Sequence, residues 1–389
     1  MEMVKSKSAR ASVDPTKVHE FLASLFGEDF HAQRVFSMAT GVVGVMHAAA
    51  ASIHAIGQGL AAATGREPRH AIKQIDRLLS NKGLDVWAMF DPWVRFLVGA
   101  REQIVVALDW TDFDADNQST IALHLVTSHG RATPMLWLTV AKDEIAGHRN
   151  EFEDRVLDRL REILPVETKV TVLADRGFGD QKLYDALTEM RFDFIIRFRQ
   201  DISVHHGGET RKAYEWMGTN GRGKLLRDAQ VTRAKTTVPV VVCTRAKNMK
   251  EAWCLASSRT DLKLTDIVSL YGRRFTIEET FRDTKDLRFG LGLSATHLGQ
   301  PARRDRLLLL VAMAQALLTL LGAAAEALGL DRHTKANTSK KRTHSLYRQG
   351  CLWYQLLPTA RDEWFLPLMQ RFGELVLQQP VFSSLFGFV

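Results

Sequence analysis

Strand-like and helix-like segments alternate in a fixed order between Ile104 and Arg199. Three strand-like segments come first, IVVALDW, STIALHLVTSHG and ATPMLWLTVA, with residues 128–131 as the turn between the last two. A charged amphipathic helix over about 144–164 follows, and then the strand KVTVLAD, the helix QKLYDALTEM and the strand DFIIRFR. Three consecutive strands favour antiparallel pairing, and the whole order predicts a mixed α/β domain built on one sheet.

The segments on either side of this domain have other patterns. Residues 1–100 carry helical periodicity with few strand signals, which predicts a separate helical domain. The α/β domain is expected over 101–325, with a β-rich insertion at about 201–257 before a last core helix that starts near Thr265. Residues 326–389 are expected to form a helical carboxyl-terminal region.

One part of the helical domain has a DNA-binding pattern. The segment SIHAIGQGLAAATGREPRHAIKQIDRLLS predicts a helix, a short glycine-containing turn and a second helix. Spacings of three and four residues place Arg66, Arg69, Lys73 and Arg77 near one another on the second helix, together with His70. A helix of this kind can enter a major groove, but a solvated basic helix face explains the same residues. The formal net charge of +8 allows a polyanionic partner without proving one.

An apolar run over 307–325 (LLLLVAMAQALLTLLGAAA) is nearly long enough to span a bilayer. Gln315 and Thr319 interrupt it, so we expect a helix buried between protein layers and no membrane anchor. The three cysteines, Cys243, Cys254 and Cys351, lack metal-ligand spacing. Their number and placement predict no disulfide, no zinc site and a reducing compartment.

Two aspartates stand at the ends of apolar strands. Asp109 follows VVAL and Asp175 follows TVLA. An ionised carboxylate in an apolar setting is costly unless something compensates it. A strand-terminal aspartate alone is often only a turn former or a helix cap. If the two strands are neighbours, both carboxylates emerge at the same end of the sheet, close enough to share a metal ion.

A basic and acidic pattern marks the helix predicted near Thr265. Tyr271, Arg274, Glu278 and Lys285 follow one another at spacings of three, four and seven residues, which keeps them on one helical face. The simpler interpretation is an exposed face with an ion pair between Arg274 and Glu278. That interpretation leaves the two strand-end aspartates unexplained. Glu279 is rotated by about 100° from the same face, so we choose Glu278 as the third acid.

Three carboxylates in this arrangement suit phosphodiester cleavage with two divalent metal ions. The carboxylates hold the ions about 4 Å apart, where one activates the attacking oxygen and the other stabilises the leaving oxygen. Oxygen ligands favour Mg²⁺ or Mn²⁺ over zinc. The residues therefore predict a metal site formed by Asp109, Asp175 and Glu278.

The segment YGRRFTIEETFRDTK, residues 271–285, carries a Y-x2-R-x3-E-x6-K signature at all four defined positions. In this the chain resembles a DDE transposase of the insertion-sequence group with that signature, the insertion sequence four family. The resemblance implies an α/β protein with an RNase H-like core and a β-rich insertion, preceded by an all-α DNA-binding domain and followed by a helical region. It also implies that Asp109, Asp175 and Glu278 are catalytic and bind two Mg²⁺ ions, for which Mn²⁺ can substitute.

The same resemblance assigns DNA contacts to further residues. Tyr271, Arg274 and Lys285 would contact the transposon ends, and the run from Asp175 through Arg176 to Phe178 fits the context in which the second acid usually occurs. Trp253 matches, by its place before the helix, an aromatic residue that receives a flipped base during hairpin formation. A simply packed strand tryptophan is the alternative. The chain departs from the group at Phe275, where tryptophan is common.

These observations predict a cut-and-paste transposase that binds the inverted ends of its own element, cleaves there and joins the freed end to target DNA. Its partners would be double-stranded DNA and a second copy of the chain, since two ends imply a homodimer in the synaptic complex. It would work in the bacterial cytoplasm, at the nucleoid. Two alternatives stay open: a non-catalytic DNA-binding regulator descended from a transposase, and an RNase H-like nuclease without strand transfer.

Overall fold

The structure is a computed structural model that describes residues 13–247, 249–336 and 338–377. Its amino-terminal part is helical, as the periodicity predicts. Side-chain oxygens of Asp14, Ser52 and Asp85 accept backbone N–H groups at the starts of three helices, which fixes where those helices begin. The five helices are α1 (Pro15–Phe26), α2 (Ala32–Ala48), α3 (Ile53–Thr64), α4 (Pro68–Ser80) and α5 (Val86–Val98).

The predicted alternation of strands and helices is present in the next part of the chain. The first three strands pair antiparallel, and the first, fourth and fifth pair in parallel. The strands are β1 (Gln103–Phe113), β2 (Gln118–Leu125), β3 (Thr133–Ala141), β4 (Lys169–Ala174) and β5 (Asp193–Phe198). The helices are α6 (Lys142–Ile145), α7 (Arg149–Ile163) and α8 (Gln181–Glu189).

The segment predicted as a β-rich insertion continues the same sheet. It contains β6 (Ser203–His206), β7 (Glu209–Lys212), β8 (Lys224–Val231), β9 (Thr236–Thr244) and β10 (Trp253–Ser257). Because β10 pairs antiparallel with β5, the ten strands form one sheet in the order β3-β2-β1-β4-β5-β10-β9-β8-β6-β7. The insertion therefore lengthens the sheet on the side of β5.

The two faces of the sheet pack against different helices. Side chains alternate along a strand, so Val106 and Leu108 of β1 join the large core that includes buried residues of α5, α7 and α8. Val105 and Ala107 point to the other face and pack with Ile267. That second face is covered by α9 (Leu264–Gly272) and α10 (Phe275–Lys285).

The last helices of the described residues are α11 (Pro301–Ala327), α12 (Leu346–Leu356) and α13 (Asp362–Leu377). By length and composition α11 could cross a membrane, and 94% of its most apolar window is buried inside the protein. Helices α2 and α3, which meet at a bend of 95°, are long and apolar enough to cross a membrane only if the two are counted as one span. Helix α11 packs against α2, α12, α13 and β3, so protein covers its apolar surface.

The helical region and the sheet share one apolar core. Buried side chains from Val13 to Val376 form a continuous cluster. The Arg303 guanidinium, on α11, binds Asp76 of α4 at 2.6 Å, and Arg306 donates to the backbone oxygens of Leu79 and Leu84 at 3.0 Å. The domain boundaries predicted near residues 100 and 325 therefore describe the order of segments along the chain, and whether they separate independent domains stays a prediction.

Candidate active site

Asp109 and Asp175 lie side by side where the parallel pairing of β1 and β4 ends. Leu108 and Ala174 are direct partners in the parallel register, and each aspartate is the next residue on its strand. Their placement at one edge agrees with the prediction. The expectation that Asp109 ends its strand is wrong, because β1 continues to Phe113 by pairing with β2. Alternation places Asp109 on the face of the sheet that α9 and α10 cover.

The single helix expected from near Thr265 through Lys285 is interrupted. Helix α9 ends at Gly272 and α10 begins at Phe275. Backbone N–H groups of Arg274 and Ile277 donate three residues back, to Tyr271 and Arg274 respectively, at 2.9 and 3.0 Å, so the chain tightens into a turn. The four signature residues are therefore not on one continuous helix face: Tyr271 belongs to α9, and Glu278 and Lys285 belong to α10.

Arg274 joins two of the predicted acids. Its side chain is 5% exposed, and one terminal nitrogen lies 3.3 Å from Oδ2 of Asp109. The other terminal nitrogen donates to Oε1 of Glu278. The turn between α9 and α10 thus carries the guanidinium into the space between strand β1 and helix α10.

The electrostatics around Asp109 identify its neighbours. The pKa of the Asp109 carboxyl is raised to about 7, mainly by burial and also by the negative charges of Asp175 and Glu278. The Arg274 guanidinium and the backbone N–H of Trp110 act in the opposite direction. Both of the other predicted acids therefore lie close enough to Asp109 to act on its carboxyl. Glu279 instead pairs with Arg282 and with Arg131 at 3.7 Å, away from Asp109.

Lys285 lies farther along β1 from the acids. Its ammonium donates to Oγ1 of Thr111 at 3.0 Å and to the backbone oxygen of Asp112, and it lies 5.0 Å from the ring centre of Phe113. Burial lowers the pKa of Lys285, and the nearby carboxylates of Asp112 and Asp114 oppose this. The cation is held against the strand that carries Asp109.

Two aromatic side chains, Tyr271 and Phe275, adjoin Arg274, and a third packs against both of them. Trp253, on β10, stacks on Phe275 with ring centres 5.9 Å apart and meets Tyr271 edge-on at 5.0 Å. Tyr271 is 1% exposed, whereas Phe275 is 38% exposed. Trp253 is partly buried, so both the packed and the base-binding interpretation are compatible with its position.

The other predicted DNA contacts lie apart from this cluster. Arg176 is exposed beyond Asp175 and pairs with Glu251 at 3.0 Å. On α4 the buried side is apolar, and its basic residues are exposed. Gly65 ends α3 with a φ of +68°, which produces the predicted helix, turn and helix. The exposed basic residues of this segment are Arg66, Arg69, Lys73 and Arg77.

A family model described as "Transposase DDE domain" matches residues 100–317, which is more than half of the chain and contains all three acids. The chain belongs to this family. The match covers every strand of the sheet and helices α6 to α10. No curated protein matches the chain.

Membership of the transposase DDE family gives the arrangement of acids a chemical meaning. The domain is that of a nuclease or transposase, its implied partner is DNA, and DDE transposases generally use divalent metal ions. The fold, a mixed α/β sheet beside a helical amino-terminal region, is consistent with this family. The insertion-sequence group inferred from the signature stays a prediction.

The three acids of this DDE domain are suited to a divalent cation, although their side chains are not assembled as a metal site. Within the three described ranges, no group of three His, Cys, Asp or Glu side chains is placed to hold a metal ion. Arg274 occupies the space between Asp109 and Glu278. Carboxylate oxygens are the ligands that Mg²⁺ and Mn²⁺ prefer, and the Glu278 side chain is 50% exposed and can turn. The donor set therefore fits the ion, and the predicted metal triad stays a prediction.

Sequence reasoning missed a second polar group beside the acids of the DDE domain. Glu153, on α7, is 3% exposed and accepts the Trp110 indole N–H at 2.8 Å and the Arg149 Nε–H at 2.9 Å. Burial raises the pKa of Glu153, and these two donors oppose the rise. The available signal was a glutamate on the apolar face of an amphipathic helix, with an arginine four residues earlier.

Proposed function

We propose that this chain is a cut-and-paste DNA transposase that binds the inverted ends of its element, cleaves there and joins the freed 3′ end to target DNA. The observation that carries the proposal is that Asp109 and Asp175 lie at adjacent positions on neighbouring strands and that Arg274 joins Asp109 to Glu278, all within a transposase DDE domain. The order β3-β2-β1-β4-β5, with two antiparallel pairings followed by two parallel pairings, supports an RNase H-like core. The signature over 271–285 supports the insertion sequence four group.

Asp109, Asp175 and Glu278 would hold two Mg²⁺ or Mn²⁺ ions. Bound ions would lower the pKa of an attacking water and neutralise the charge that develops on the leaving 3′ oxygen. To serve as a ligand, the Glu278 carboxylate releases the Arg274 guanidinium, which then remains beside Asp109 as a donor for a phosphate oxygen.

Basic and aromatic residues around the acids would hold the transposon end. Lys285 is half-buried against β1 and would place a positive charge beside the sugar-phosphate backbone of the bound DNA. Tyr271 is almost fully buried, so it would act through the Arg274 and Trp253 side chains that it packs against. The stacked pair of Trp253 and Phe275 offers an aromatic surface for a displaced base.

Recognition of the end sequence would fall to α4, whose exposed side carries Arg69, Lys73 and Arg77. Arg66, expected on the same helix, lies instead in the turn before it and would add a fourth exposed positive charge. Arg176 would contact the backbone near Asp175 once it leaves Glu251. Since transposition pairs two ends, we infer that two copies act together, and that they do so at the nucleoid.

A matched pair of glutamates tests the proposal. Glu278→Gln removes the charge of the third acid, and Glu279→Gln makes the same change one residue along the same helix, on a side chain that pairs with Arg282. With duplexes copied from both boundaries of the element, we expect Mg²⁺-dependent cleavage and joined products from wild type and from Glu279→Gln. We expect a loss of at least about 100-fold in Glu278→Gln, with end binding retained.

The other outcomes separate the alternatives. Cleavage without joined products would indicate a nuclease, and binding without cleavage in any condition would indicate a regulator. Equal activity of both variants would contradict the assignment of Glu278. Addition of EDTA should abolish cleavage by wild type, and Mn²⁺ should restore it.

A further inference from the structure

The Arg149 side chain is held in a fixed direction beside the acids. Its Nε–H donates to Oε1 of Glu153 at 2.9 Å, and its guanidinium carbon lies 5.3 Å from the ring centre of Trp110 and 5.5 Å from that of Phe178. Glu153 is itself fixed, because the Trp110 indole N–H donates to the same oxygen at 2.8 Å. An arginine tethered at Nε and packed between two rings has lost most of its rotational freedom before any ligand arrives.

Both aromatic residues that pack on Arg149 belong to the segments that carry the acids. Trp110 follows Asp109 directly, and its backbone N–H donates to Oδ1 of Asp109 at 2.9 Å. Phe178 ends the turn that begins at Asp175, and the Gly177 N–H donates to Oδ1 of Asp175 at 2.7 Å. The guanidinium therefore spans the two strand ends from the face opposite α10.

One terminal nitrogen of Arg149 lies close to Gly177, in the turn that begins at Asp175. A Cβ atom built on Gly177 would lie 3.0 Å from Oδ1 of Asp175 and 3.8 Å from a terminal nitrogen of Arg149. Within the described chain, Nε is the one Arg149 nitrogen with a hydrogen-bond acceptor, and the side chain is 46% exposed. Two parallel N–H donors on a planar fork match two oxygens of a phosphate group.

Resting on the proposed function, we infer that Arg149 binds a phosphate of the DNA strand next to the scissile bond, and that Glu153 positions it. Arg274 and Lys285 approach the acids from the α10 side, and Arg149 approaches from the α7 side. The backbone of the bound strand then passes between basic groups on both sides of the three carboxylates. In the protein without DNA, the Glu153 carboxylate pairs with the Arg149 guanidinium. This ion pair lowers the desolvation cost of holding the guanidinium in place before a phosphate binds.

If Arg149 binds one phosphate next to the scissile bond, removing the charge of that phosphate should weaken binding. Replacing single phosphates near the cleavage site by uncharged methylphosphonates, one at a time, measures each phosphate contact by binding in Ca²⁺. For wild type we expect one position where the substitution weakens binding by about 10-fold or more. Arg149→Ala should bind unmodified DNA weaker by a similar factor and should show no further loss at that position.

Matched variants separate a contact from a fold defect. Arg155, also on α7, lies over Trp87 at 5.8 Å and is exposed, so Arg155→Ala removes a stacked arginine away from the acids. It should leave the methylphosphonate profile unchanged. Arg149→Lys should restore part of the affinity, since an ammonium keeps the charge but not the two-donor fork. Glu153→Gln, which keeps an acceptor oxygen for both donors, should restore most of what Glu153→Ala loses.

The inference and the proposed function can fail separately. The Arg149 contact would be overturned if Arg149→Ala left the phosphate profile unchanged. It would also be overturned if the losses of affinity from Arg149→Ala and from the methylphosphonate simply added, even with normal Mg²⁺-dependent cleavage. If the position-specific loss disappears in Arg149→Ala but wild type does not cleave DNA in Mg²⁺, the Arg149 contact is supported and the transposase proposal is rejected. Absence of any DNA binding would reject both.

Discussion

The alternation of side chains along one strand separates the chemistry of neighbouring residues. Asp109 faces α9 and α10, where Arg274 and Glu278 lie, while Trp110 faces α7 and donates to Glu153. A shift of one residue in the register of β1 would exchange these two faces. The pairing of Leu108 with Ala174 therefore fixes the position of the acid and of the indole that stacks on Arg149.

Asp305, on α11, gives a prediction about pH and stability at the same scale. Its Oδ1 accepts the Thr139 backbone N–H at 3.0 Å, and burial raises the pKa of Asp305 from 3.8 to about 7. A raised pKa in the folded state means that the protonated acid contributes stability below about pH 4, which is lost as pH rises through about 7. Asn keeps the acceptor and does not titrate, so Asp305→Asn should gain on wild type as pH rises.

The measurement is the difference in Tm between Asp305→Asn and wild type at pH 5, 6.5 and 8. We expect it to increase by about 2 °C or more over this range. Parallel Tm curves for Asp305→Asn and wild type would contradict the raised pKa.

At the scale of elements, the turn between α9 and α10 decides the geometry of the candidate site. A continuous helix would satisfy its backbone N–H groups four residues back, but here Arg274 and Ile277 donate three residues back. The turn allows Tyr271 to stay buried against β10 while Arg274 reaches Asp109. The signature spacing is thus realised by two helices rather than by one.

The crossing of α11 and α12 depends on two glycines and gives a second prediction. A Cβ atom on Gly322 would lie 1.9 Å from the Leu346 backbone oxygen, and one on Gly350 would lie 1.7 Å from that of Leu318. Since these neighbours are backbone atoms, Gly322→Ala forces the helices apart and should destabilise the protein by about 3 kcal/mol or more. Thermal unfolding monitored by circular dichroism measures the loss.

Gly373 on α13 provides the control for this change. No atom lies within 4 Å of a Cβ atom built there, so Gly373→Ala should be neutral or stabilising by up to about 1 kcal/mol. If Gly322→Ala and Gly373→Ala have the same Tm, the close approach of α11 and α12 is wrong.

At the scale of the whole molecule, α11 joins the helical region to the sheet. It packs on α2 and on β3, and Arg303 and Arg306 bind atoms of α4 and of the chain that follows it. Gly41, in α2, has a Leu310 methyl 2.9 Å from the place where its Cβ would be. Removing the amino-terminal helices would therefore expose a long apolar helix.

This shared core predicts cooperative unfolding. Circular dichroism and tryptophan fluorescence should report one coincident thermal transition for the full chain, because helical region and sheet lose the same contacts together. A fragment of residues 101–389 should melt at least about 10 °C lower or aggregate, since α11 loses its cover. Two separated transitions, or a fragment as stable as the full chain, would instead support independent domains.

The sequence by itself determined the features that depend on local periodicity. Apolar patterns located the strands, and they predicted that Asp109 and Asp175 would share one edge of the sheet if their strands were neighbours. Glycine and proline positions located the turn between α3 and α4. The ion pair between Arg274 and Glu278, which belonged to the simpler interpretation of an exposed helix face, is present, although Arg274 is buried. These features are predictable because backbone geometry repeats every two residues in a strand and every 3.6 in a helix.

Only the tertiary structure decided the features that depend on contacts between distant segments. The break before α10 is coupled to the pairing of buried Arg274 with Asp109, which lies 165 residues earlier in the chain. The contact between Trp110 and Glu153 spans 43 residues, and the continuation of the sheet by β10 depends on its register with β5. Such pairings are selected by burial and charge compensation after the chain has closed, and no local pattern encodes which partner will be near.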